Sequence, residues 1–409
     1  MSAPLPGDRL HALDAVRGFA LLLGVVLHAT MSFIPSVFPV WITQDQSAEA
    51  GYGLLFYVPH IFRMTLFFFI AGFFARLAYQ RRGAISFAFD RFKRIALPFA
   101  AFWTPIFAGI VTAMVWGAVK ANGGEMPEGE SPPLTFANLP LTHMWFLYLL
   151  LVFYAAAMLI RLPIALIDRN GAVRGLVDKL VGWIGATPLG LVVLAAPVAI
   201  AFHQSEAWYG WFGIPTPDVG WVPNTIALTG YGVAFGFGWL VHRRLDLLQS
   251  WKRWWPVNAV LAIGLTAYCL NAIGQTPAFA LMEGQQKALY AGAYALAGWA
   301  WSLALIGAAM QFWSGKSAWR RYLADASYWI YLLHLPIVML LQVWLNDAAL
   351  PAALKLTLIV GGTTGVLLLS YHFLVRRSWL GAWLNGKRIP RANPAAKPDA
   401  TAEAPLPQS

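Results

Sequence analysis

Leu13-Asp14-Ala15-Val16-Arg17-Gly18-Phe19-Ala20-Leu21-Leu22-Leu23-Gly24-Val25-Val26-Leu27-His28 carries an arginine and a histidine with no charge between them. As a helix, the steps from Arg17 to His28 turn through about 1100°, so the two side chains fall roughly 20° apart on one stripe. They lie about 16 Å apart along the axis, roughly half the thickness of a hydrocarbon core. An ionisable group at that depth is costly and turns towards a cavity or a partner. The alternative is structural: an arginine that snorkels from a helix end, and a histidine hydrogen-bonded between helices.

The remaining sequence supplies the membrane. Of its 409 residues 59% are hydrophobic and 11% charged, too little charge to coat a soluble globule of this size. Apolar runs of about 20 residues recur, which predicts an all-α polytopic membrane protein. Ten spans are read near 13–35, 54–78, 95–118, 141–161, 184–203, 221–241, 254–274, 287–313, 327–346 and 352–375. The connections alternate in charge. Even ones are basic: Arg81, Arg82, Arg91, Lys93 and Arg94; Arg169, Arg174 and Lys179; Arg243, Arg244, Lys252 and Arg253; Lys316, Arg320 and Arg321. The C-terminal segment continues the series with Arg376, Arg377, Lys387, Arg388 and Arg391. Odd ones are acidic or neutral, with Asp45, Glu49, Glu125, Glu128, Glu130, Glu206, Asp218, Glu283 and Asp347; only Lys120 breaks the pattern. The positive-inside rule then places both termini in the cytoplasm. So placed, the net charge of +11 is a topological signal and not a nucleic-acid footprint. The lone Cys269 excludes an intrachain disulfide and a cysteine-based metal site, and no metal is expected. The first apolar run starts too late and is too long for a cleavable signal peptide. Residues 1–10 and 379–409 read as disordered tails flanking a membrane domain over 11–378.

Two further stretches carry polar groups into this apolar chain. The second span opens Pro59-His60-Ile61-Phe62-Arg63-Met64 and runs on through Phe67-Phe68-Phe69-Ile70-Ala71-Gly72-Phe73. His60 and Arg63 share a helix face, and Arg63 falls about 13 Å below the outer end, near the depth of His28. At the inner mouth of the third span, Arg91 and Arg94 in Asp90-Arg91-Phe92-Lys93-Arg94 are one turn apart and suit a phosphate. Arg17 lies at the same level, so the three make a candidate polyphosphate site. His143, in His143-Met144-Trp145-Phe146-Leu147, reads alone as interfacial. His334, in the segment from Ser327 to Pro336, reads alone as a packing or kink residue. No span carries a mid-membrane Asp or Glu.

Together these stretches resemble the acyltransferase-3 family of integral membrane acyltransferases. The points of likeness are Arg17-x10-His28, Phe67 to Phe73, Arg91-x-x-Arg94 with Pro98, His143-x-Trp145-Phe146-Leu147, and Ser327 to Pro336, in the family's order over residues 10–375. His60-x-x-Arg63-Met64 is similar to the glucan-biosynthesis C branch, whose members succinylate periplasmic glucans. Ala71 departs from the family's frequent serine, so that position is given no catalytic role. No fused esterase-like domain is expected.

The resemblance implies an O-acyltransferase of the bacterial inner membrane. It would take a succinyl or acetyl group from cytosolic acyl-coenzyme A and place it on a periplasmic or surface glycan. Acyl-coenzyme A serves as donor, with no permanently bound cofactor. Arg17, Arg91 and Arg94 would hold the coenzyme's phosphates. His28 would be the base, or a covalent acyl carrier, with Arg63 or His60 on the oxyanion or on a free acyl carboxylate. The alternative class is a transporter or flippase of glycans or lipid-linked sugars.

Overall fold

The computed structural model describes residues 6–126 and 133–386. Glu128, Glu130, Lys387, Arg388 and Arg391 lie outside the described residues. Among those described, the chain is helical with no strand; one isolated bridge joins Pro140 and Val219. The helices in order are α1 (Pro6–Thr30), α2 (Tyr52–Arg82), α3 (Ala84–Arg91), α4 (Leu97–Ala121), α5 (Trp145–Ile167), α6 (Ala172–Ala186) and α7 (Pro188–Gln204). They continue with α8 (Thr225–Val241), α9 (Asp246–Ile273), α10 (Gly284–Phe312), α11 (Ala318–Leu345), α12 (Ala352–Ser370) and α13 (Trp379–Asn385).

Each of the ten expected spans corresponds to a helix, with differences at four places. α1 begins at Pro6, so helix replaces part of the expected N-terminal tail. The basic connection after α2 is itself mostly helical: α3 runs through a π-helical turn, Phe92–Ala96, into α4. The fifth span is broken, α6 and α7 meeting at 100°. Thr187 is the cause. It precedes Pro188, so it takes extended geometry (φ −116°, ψ 150°), and its hydroxyl caps α7 at the Gly190 amide. The expected C-terminal tail begins with α13, a helix over Trp379–Asn385. Among the described residues, by length and composition eight helices can cross a membrane, or nine with the α6–α7 pair, while α8 falls short at 17 residues.

Burial sorts the helices into a core and a lipid-facing rim. α10 is the most enclosed, whereas α5 and α9 turn Leu159, Ile160, Val260 and Ile263 outwards. Such apolar surface is what the hydrocarbon requires. Between helices in lipid, close approach replaces hydrophobic driving force, so small residues mark the contacts. α2 and α8 cross on a reciprocal pair of glycines. A Cβ on Gly72 would come within 2.0 Å of the Phe235 carbonyl oxygen, and one on Gly238 within 1.9 Å of that of Phe69. Neither backbone can yield without parting the helices. Gly72→Ala should therefore lower stability by about 1–3 kcal/mol, read as a fall in the melting temperature of the detergent-solubilised protein. An unchanged melting temperature would show that this crossing is loose.

Lys120, the exception to the charge alternation, is neutralised locally. Its ammonium pairs with Asp347 at 2.7 Å, and that hydrogen bond holds the Asp347 carboxyl below its usual range. The connection after α1 is pinned by a buried ion pair, Lys355 Nζ to Asp45 Oδ2 at 2.7 Å.

Candidate active site

One cavity of about 900 Å³ runs through the bundle, and His28, His60, Arg63, Arg17, Arg91 and Arg94 all line it. Its two ends differ in chemistry. At one end stand Arg17, Arg81, Arg82, Arg91, Arg94 and Asp325; at the other, Trp41, Thr142, Phe212, Thr216 and Asp218.

At the arginine end, Asp90 organises the charge. Its carboxylate pairs with Arg82 and Arg91, and with Arg94 at 3.1 Å. Three guanidiniums share one carboxylate, which leaves a net excess of two positive charges. The Arg91 guanidinium also lies over the rings of Phe87 and Tyr154, at 5.5 and 5.7 Å. Arg17 pairs with Asp14 at 3.3 Å and reaches the Ala324 carbonyl of α11. The structure thus brings the three predicted arginines to one mouth, already oriented and still cationic. α13 abuts the same mouth: Trp383 donates to the Lys93 carbonyl and Asn385 to that of Asp325.

His28 sits deeper, near the C-terminal end of α1. Its ring stacks on Trp41 at 6.0 Å, and its Nδ1 is buried without a hydrogen-bond partner. Gln342 of α11 fixes this pair, donating to the carbonyls of His28 and Ala29 and accepting from the Trp41 indole. Arg63 approaches from α2. Its Nη1 lies where a Cβ on Gly24 would be 2.1 Å away, so the missing side chain, one turn before His28, makes room for the guanidinium. Arg63 has no carboxylate partner among the described residues, and its Nε is unpaired. His60 is differently engaged. It stacks on Phe56 at 4.8 Å and its Nε2 donates to the Phe212 carbonyl at 2.7 Å, so that nitrogen fastens the loop between α7 and α8.

Two histidines complete the centre. His143 is buried rather than interfacial, and His334 borders the cavity rather than filling a packing site. Ring centroids of His28 and His334 are 5.4 Å apart, and those of His143 and His334 5.1 Å. A sequence signal for this exists. Pro336 has no N–H to offer the Leu332 carbonyl one turn back, so that carbonyl needs an outside donor. His143 Nε2 supplies it, at 3.0 Å from Leu332 O and 3.1 Å from Tyr331 O. At the far end, burial raises the Asp218 carboxyl above its usual range, which favours its protonated, hydrogen-bonding form.

Chemically, this is a base-bearing centre beside an unpaired guanidinium, with an anion-attracting mouth on one side and an aromatic, hydroxyl-lined mouth on the other. The family model described as an acyltransferase domain (acyltransferase 3) matches residues 10–375. Among curated proteins, the chain is similar to "Glucans biosynthesis protein C" of Escherichia coli strain SMS-3-5 / SECEC, 27% identical over 155 residues. It is 26% identical to the proteins of that name from E. coli strain K12, over 155 residues, and Shigella dysenteriae serotype 1 strain Sd197, over 153. Each match covers 36% of this chain and 38% of the relative, so the chain spans well under half the length of the relatives it matches. No solved structure matches the chain. The extent of the family match, carried on a multi-span helical bundle, settles the kinship: this chain belongs to the acyltransferase-3 family of membrane acyltransferases.

Proposed function

We propose that the protein moves an acyl group, succinyl or acetyl, from cytosolic acyl-coenzyme A to a hydroxyl of a periplasmic or cell-surface glycan. The carrying observation is the single cavity that joins the arginine mouth to His28 and to the opposite mouth. The positive-inside rule makes the arginine mouth cytosolic in a bacterial inner membrane. Arg17, Arg91 and Arg94 hold the coenzyme's phosphates there, and the extended pantetheine arm covers the about 16 Å to His28. The acceptor sugar enters from the other side. His28 takes the hydroxyl proton as that oxygen attacks the thioester carbonyl, and Arg63 stabilises the oxyanion. The carbon–sulfur bond then breaks, and the proton leaves on the coenzyme thiol. The similarity to proteins named for glucan biosynthesis favours a glucan among possible acceptors.

A flippase would use the same passage without a thioester. Binding of coenzyme A by the detergent-solubilised protein, followed by turnover of acyl-coenzyme A with a glycan acceptor, separates the two. Absence of both would end the acyltransferase reading. Arg91→Ala and Arg94→Ala should each raise the KM for the donor about tenfold, as expected for one lost charge-assisted hydrogen bond. The turnover number should change little, because a phosphate grip is mostly uniform binding. Unchanged coenzyme affinity in the double variant would leave these arginines as topology anchors held by Asp90.

A further inference from the structure

The histidines around His28 have fixed tautomers. A carbonyl oxygen only accepts, so a ring nitrogen hydrogen-bonded to one carries the proton. His143 Nε2 faces the carbonyls of Tyr331 and Leu332, so it is the N–H, and its buried Nδ1 is a bare lone pair. His334 Nδ1 lies 2.8 Å from Tyr331 O and 3.2 Å from Ile330 O, so it too is the N–H, and Nε2 is left with a lone pair. The His334 ring lies beside that of His28, with centroids 5.4 Å apart and the planes tilted by 43°, and the two are not hydrogen-bonded in this structure. His28 therefore has beside it a neutral group that can only accept.

We propose that His334 is the positioning partner of His28: a small turn of the rings lets its Nε2 lone pair accept from His28 Nδ1–H, which has no partner in this structure, leaves His28 Nε2 to face the acceptor hydroxyl, and shares the positive charge that develops. The inference rests on the acyl-transfer reading, in which His28 is the base. In hydrolases a carboxylate does this work. A carboxylate here would be captured by Arg63, whose guanidinium lies one turn away on α1 at Gly24. That ion pair would both neutralise Arg63 and pull the orienting group off His28. A neutral imidazole orients the base and leaves the guanidinium free for substrate. The carboxylates lining the cavity, Asp218 and Asp325, lie towards its two ends. His143 completes the device by satisfying the Leu332 carbonyl that Pro336 leaves open, which holds the α11 turn bearing His334.

Two substitutions separate this role from packing. Asparagine at 334 places an amide N–H where Nδ1 was, keeping the bonds to Ile330 and Tyr331, but has nothing at Nε2. Glutamine reaches the Nε2 position with an acceptor oxygen. If His334 orients His28, His334→Asn should lower kcat about thirtyfold with both KM values within about twofold, and His334→Gln should recover at least about fivefold of that loss. An asparagine variant as active as the glutamine one, or more so, would overturn the proposal. A readout independent of turnover is nuclear magnetic resonance of protein labelled with ¹⁵N-histidine. A nitrogen–nitrogen coupling across a hydrogen bond between His28 and His334 is expected in the wild type and should vanish in His334→Asn. Its absence from the wild type would overturn the proposal even if the glutamine variant does not reach the membrane. Wild-type protein that shows the coupling but turns over no acyl-coenzyme A would keep the pairing and remove the acyl-transfer reading instead.

Discussion

His28→Ala should abolish acyl transfer while the protein still reaches the membrane and still binds coenzyme A. The loss expected from removing a positioned base is at least about a hundredfold in kcat. The side chain is half-buried, but little of the fold hangs on it. Gln342 holds α1 through the main-chain carbonyls of His28 and Ala29, and Trp41 is tethered to Gln342 rather than to the imidazole. Normal expression with no transfer is therefore the signature to look for, with donor affinity measured separately. Near wild-type transfer by the alanine variant would remove His28 from the chemistry.

Arg63 is the residue whose replacement tests which acyl group is moved. A guanidinium at this depth without a carboxylate is costly unless something anionic meets it. An acetyl donor offers only the transient oxyanion; a succinyl donor adds a permanent carboxylate. If Arg63 reads that carboxylate, Arg63→Met should cut kcat/KM for succinyl transfer by roughly 3 kcal/mol more than for acetyl transfer, about a hundredfold in relative rate. Gly24→Ala offers a gentler version. Its methyl would meet the flexible end of Arg63, not a backbone, so the guanidinium must move while the helices stay in place. It should shift the succinyl-to-acetyl preference in the same direction by a smaller factor. Equal damage to both donors would assign Arg63 to the oxyanion alone.

The parts of this molecule legible in its sequence are those set by one residue and its local surroundings. Charge alternation and apolar runs located a helix for each expected span because hydration of a charge and of a methylene do not depend on neighbours far along the chain. The Arg17–His28 stripe was legible because helical geometry relates the two. The break at Thr187 was in principle legible from Pro188, but an apolar run of the right length masked it. The Asp90 clamp was half legible, since Asp90 and Arg94 are spaced for an ion pair. The contact of His143 with α11 was not. It joins residues 188 and 189 positions apart, and only Pro336, with the carbonyl it strands, hinted that a donor must come from elsewhere.

The unpartnered Arg63 bears on a problem that any passage across an energised membrane faces. A wet channel open to both sides would discharge the proton gradient that the cell spends its metabolism maintaining. Here the cavity is lined at one end by a cluster of guanidiniums and farther in by Arg63, which pairs with no carboxylate among the described residues. Fixed positive charge in a low-dielectric bore repels hydronium and sodium, the same barrier an arginine provides in water-selective pores. On the proposed function, the charge that would receive an anionic acyl group would also keep the passage from becoming a leak.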